Sequence, residues 1–162
     1  MSATLALRFT RLSPTRHRFE YRRADGSGEA VEVETAAVLV HDLLHYALES
    51  EAGLRGSFYG ILEKIGGYQE LTVAGGAALG GEIAVAEAVV AAIAEAMAEE
   101  GLDDEAFAAD ALERLASYAE RPPRWCAPAL VAAVREHMRR LTRLWEATSV
   151  GDAMELVFLP SQ

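Results

Sequence analysis

The stretch "AVEVETAAVLVHDLLHYALESEAG", residues 30–53, contains the change of period that decides the fold. Up to Glu34 the apolar residues alternate, with Val31 and Val33 on one face of an extended strand. From Thr35 onward they recur every three or four residues, the spacing of an amphipathic helix. Thr35 is a candidate N-cap and Gly53 a candidate C-cap, bounding a helix of about 17 residues with "HDLLH" at its centre.

Upstream, the alternation continues. "TLALRFTRL" (4–12) places Leu5, Leu7 and Phe9 on one side, and "RHRFEYRR" (16–23) does the same for Phe19 and Tyr21. Ser13-Pro14 and the glycine-rich "ADGSGE" (24–29) supply the turns, so residues 1–34 read as a three-stranded antiparallel meander. Downstream the pattern is helical. Ser57 can cap a short helix, "FYGILEKI", that stops at Gly66-Gly67, and the loop "TVAGGAALGG" leads to a helix over 82–100. Ile83, Ala86, Val90, Ile93 and Met97 form a narrow, near-heptad stripe on that helix, whose acids read as a solvated face. Asp103 caps a fourth helix that ends before Pro122-Pro123. A fifth runs from about Pro128 to Thr148, with Leu130, Val134, Met138, Leu141 and Trp145 inward. "MELVFLP" (154–160) returns to period two and is expected to join the N-terminal sheet. The expected fold is α+β: one domain over 1–162, with a β meander (1–34), a helical body (35–150) and a C-terminal strand (151–162).

Charge narrows the function classes. The net charge is −10, and residues 35–120 carry sixteen acids against three bases, while both ends are near neutral. Such a surface repels phosphate backbones and anionic headgroups, so neither nucleic acid nor a membrane is an expected partner. Cys126 is the only cysteine, which excludes an internal disulfide or a thiolate metal cluster. The N-terminus has no signal-peptide pattern, and a cytoplasmic location is the expectation. The glycine pairs 75–76 and 80–81 match neither phosphate-loop pattern, and Ser57 has no G-x-S-x-G context.

The chemistry is concentrated in "HDLLH". At 100° per residue, with His41 at the origin, His45, Glu49 and Asp42 fall at about 40, 80 and 100°. Imidazoles at i and i+4 can converge on one ion, with Asp42 or Glu49 as a further ligand or proton carrier. Val38, Leu48 and Ala52 lie close by on the wheel, so the group borders an apolar face. His137, on the inward side of the fifth helix, is the candidate distant third ligand. His17, between Arg16 and Arg18, is expected at the surface.

"VLVHDLLHY" (38–46) resembles the central helix of the HD-domain metal phosphohydrolases, which implies His41 and Asp42 as ligands and phosphate-ester hydrolysis. His41, Asp42 and His45 are also similar to the HDxxH zinc motif of a ubiquinone-biosynthesis family. That family has Glu twelve residues later, where this chain has Ser57, so Glu49, Glu51 or Glu63 would substitute. The leading expectation is a divalent transition metal, zinc first, with hydrolase-like chemistry on a small-molecule substrate. The alternative is a non-catalytic interaction module with structural histidines, in which the stripe on 82–100 binds a partner protein or a second copy as a homodimer.

Overall fold

The computed structural model describes residues 4–64, 67, 68, 71 and 80–159. The expected stop at Gly66 and most of the glycine-rich stretch 72–81 lie outside them. The described elements are β1 (Leu5–Arg11), β2 (Arg16–Arg23), β3 (Gly28–Glu34), α1 (Thr35–Ala52), α2 (Phe58–Lys64), α3 (Gly81–Met97), α4 (Asp104–Tyr118), α5 (Pro128–Glu146) and β4 (Ala153–Phe158). The fold is α+β: a four-stranded antiparallel sheet in the order β3-β2-β1-β4, packed against the helices.

The meander pairs as its alternation requires. Leu5, Leu7 and Phe9 face inward on β1, opposite Arg23, Tyr21 and Phe19 of β2 and Phe158, Leu156 and Met154 of β4. Phe9 and Phe19 stack with ring centroids 5.1 Å apart. His17 shares the parity of Phe19 and Tyr21 and is fully buried, contrary to the surface position that its arginine neighbours suggest. In a strand, the residues two away decide the face, and those one away do not. The His17 ring lies edge-on to Trp145 of α5, with Nδ1 3.0 Å from the Thr35 hydroxyl. Thr35 is therefore the first helical residue and His17's partner rather than the cap. Glu34 occupies the N-cap position without a side-chain hydrogen bond.

Gly53 ends α1 as expected. Its φ of 67° is left-handed, and its N–H reaches the Glu49 carbonyl. Asp103 caps α4, accepting from the Ala106 N–H at 2.8 Å. Ser57 precedes α2, but its hydroxyl is buried and makes no hydrogen bond among the described residues, so it does not cap that helix. On α5, Val131, Val134, Met138, Leu141 and Trp145 are buried, and Leu130 is half-buried against the core.

Helix α1 is central, packed on α2, α3, α5 and β3, with Leu39, Leu43, Leu44, Ala47 and Leu48 in the core. Its Tyr46 hydroxyl donates to the Val157 carbonyl of β4 at 3.0 Å. On α3, Ile83, Ala86, Val89, Val90, Ile93 and Ala96 are buried, and the helix packs on α1 and α4. The stripe that could have bound a second chain is thus occupied within this one, and only Met97 of it is exposed. No helix among the described residues is long and apolar enough to cross a membrane.

Val90→Asp should therefore destabilise the fold by about 3–5 kcal/mol, the cost of an uncompensated buried charge. Urea unfolding measures this. A well-folded variant of parental stability would show that α3 does not pack inward.

Candidate metal centre

Helix α1 carries His41, His45 and Glu49 in one row along its side, and α3 lies beside that row. Glu87 of α3 falls about 40° from Ile83 on the helical wheel, at the edge of the buried stripe. Its carboxylate turns toward α1 and meets both imidazoles. Glu87 Oε1 lies 2.9 Å from His45 Nε2, and Oε2 lies 3.2 Å from His41 Nε2. The two rings have centroids 4.7 Å apart and planes 70° to one another. One donor atom from each of His41, His45 and Glu87 lies within 4.8 Å of the others.

Behind each imidazole stands another carboxylate. His45 is fully buried, and its Nδ1 lies 3.1 Å from Glu49 Oε2. Glu49 is equally buried, and its Oε1 accepts the Tyr59 N–H at 2.9 Å. His41 is 49% exposed on its side chain, and its Nδ1 lies 3.7 Å from Asp42 Oδ1. Asp42 is buried, accepting the Tyr68 hydroxyl at Oδ2 (2.9 Å) and the Tyr59 hydroxyl at its backbone carbonyl (2.8 Å). Helix α2 reaches this position because Gly60 has no side chain: a Cβ there would lie 2.0 Å from the Arg55 carbonyl oxygen. Glu82 holds the same loop from α3, accepting the N–H groups of Arg55 and Gly56 at 3.1 and 2.8 Å.

The charges fit this geometry. Hydrogen bonds to Asp42 and then Glu87 raise the His41 pKa to about 9. Burial works against a charged His45, but the Glu49 and Glu87 carboxylates outweigh it and leave its pKa raised. Glu87 pays for its own partial burial, yet the two imidazoles hold it well below the usual carboxylate range. Burial lifts Glu49, against the pull of His45 and the Tyr59 and Gly60 amides. Without an ion, the Glu87 carboxylate bridges the two imidazoles, and the carboxylates around them favour the charged form of each ring.

The structure thus brings His41, His45, Asp42 and Glu49 together and adds Glu87, which the sequence reading placed on a solvated face. The available signal was a carboxylate inside the apolar run "IAVAEAVVAAIAEAMA", close to its stripe. Asp42 and Glu49 touch imidazole Nδ1 atoms, on the far side of the rings from Glu87. His137 does point inward, but to another face of α1. Its Nδ1 lies 3.0 Å from Glu51 and its ring is edge-on to Tyr46, outside the group that could share an ion.

A group whose pKa is raised by folding stabilises the fold below its unfolded value and loses that contribution as pH rises through the folded one. For His41 the window runs from 6.5 to about 9. An NMR titration should place the His41 midpoint near the upper value. The excess stability of the parent over His41→Gln in urea should be full at pH 6 and shrink by pH 9.5. A midpoint near 6.5 would contradict the bridged cluster.

Comparison with protein-family models, with curated proteins and with solved structures finds no match to this chain.

Proposed function

We propose that this protein binds one divalent transition metal, zinc first, between His41 Nε2, His45 Nε2 and the Glu87 carboxylate, and uses it to hydrolyse a small-molecule substrate. The observation that carries this reading is the convergence of those donors from two packed helices. Two imidazoles and one carboxylate form a borderline donor set, suited to Zn²⁺ and also to Fe²⁺, Mn²⁺ or Ni²⁺. An ion there would take the place of the imidazole protons that now face Glu87.

The exposure of the three groups supports a reactive site over a purely structural one. His45 closes the inner side, whereas His41 is half-exposed, leaving room for a fourth ligand from solvent. Three protein ligands and an open position are the pattern of catalytic zinc, which lowers the pKa of bound water to about 7.

A second reading has its own support, because the three side chains already satisfy one another at 2.9 and 3.2 Å. On that reading the cluster is an ion-pair clasp joining α1 to α3. Metal analysis by mass spectrometry, on protein purified without a histidine tag, separates the two. The metal reading expects stoichiometric zinc after loading and dialysis, lost in His45→Ala and in Glu87→Ala. Substoichiometric metal, unchanged by either substitution, would leave the clasp.

A further inference from the structure

Glu49 is the least accessible carboxylate of the cluster, and its two oxygens are both committed. Oε1 accepts the Tyr59 N–H at 2.9 Å, and Oε2 faces His45 Nδ1 at 3.1 Å. The Tyr59 N–H requires an acceptor, a carboxylate oxygen facing Nδ1 favours a proton on that nitrogen, and among side chains of this length only a carboxylate offers two accepting oxygens. Moving either oxygen onto a metal would strip a buried N–H of its partner, at a cost of about 1–3 kcal/mol. Phe58 packs on the same imidazole with centroids 5.7 Å apart, limiting its rotation.

We propose that Glu49 is a positioning residue rather than a ligand: it fixes His45 as the Nδ1–H tautomer and so aims Nε2 at the ion. This rests on the metal-binding reading of His41, His45 and Glu87. It makes α2 part of the site without contributing a ligand, because the Tyr59 amide holds Glu49 and Glu49 holds the ring. Asp42 repeats the arrangement more loosely behind His41, itself held by the Tyr68 hydroxyl. A carboxylate behind a metal-bound imidazole raises its basicity and is typically worth ten- to a hundredfold in metal affinity.

The test uses the full chain, labelled with ¹⁵N-histidine and loaded with zinc. Long-range ¹H–¹⁵N spectra should show His45 bound through Nε2, with a slowly exchanging proton on Nδ1. Glu49→Gln can accept from only one of its two neighbours. It should keep zinc on Nε2, lose the slow exchange at Nδ1 and raise the zinc Kd about tenfold to a hundredfold. Zinc on His45 Nδ1 in the parent would overturn the assignment, and this readout needs no variant to fold. An unchanged Kd with the Nδ1 proton still protected in Glu49→Gln would also overturn it, leaving the metal reading intact. A parent that takes up no zinc would overturn both.

Discussion

Helix α1 carries Asp42, His45 and Glu49 into the same interior that receives Leu44 and Leu48. An ionisable group taken out of water must find partners or give up its charge. The partners come from every side: the Tyr59 amide of α2, the Tyr68 hydroxyl beyond it and the Glu87 carboxylate of α3. Each contact fixes a distance between two elements that apolar packing alone would leave free to slide. The cluster therefore sets where α2 and α3 dock on α1, whatever else it does.

The four histidines show how far surroundings, more than residue type, decide chemistry. His17 lies in the sheet core, kept below the ordinary imidazole value by burial, with one hydroxyl for company. His137 is half-buried beside Glu51, and burial lowers its pKa too. His45 is as buried as His17, but two carboxylates reverse the direction. His41 is the most accessible and sits between Asp42 and Glu87. Only the last two share an acceptor, and only there do ring nitrogens converge.

The fold was largely legible because its signals are local. Period two in residues 5–9 and 19–21, the change at Thr35, Gly53 as a stop and Asp103 as a cap each state a backbone preference that the packing then obeys. Half of the site was legible for the same reason, since i and i+4 on one helix are neighbours in any fold. Glu87 was not, because its partner lies across a helix interface whose rotation no spacing rule gives. Its place at the edge of a buried stripe was visible, but a lone glutamate there reads as solvent-facing until α1 lies against it. His17 was misplaced by charged neighbours that belong to the opposite face, and His137 by an inward direction that did not say which side of α1 it meets.

The pairing of β1 with β4 sets Leu5 opposite Phe158, so the first described strand is completed by the last described one. During synthesis the β1–β2–β3 meander emerges with its β1 edge unpaired, and that edge waits while five described helices are made. Phe158 and Met154, both buried, reach the core only when β4 docks, and the Tyr46 hydroxyl then gains the Val157 carbonyl. Closure is thus a step of high contact order that follows the synthesis of β4, with β1 open to pairing with other chains until it happens. The same pairing ties together the two described strands most distant in sequence, so strain on either strand is carried straight to the other through the ladder between Leu5–Thr10 and Ala153–Phe158.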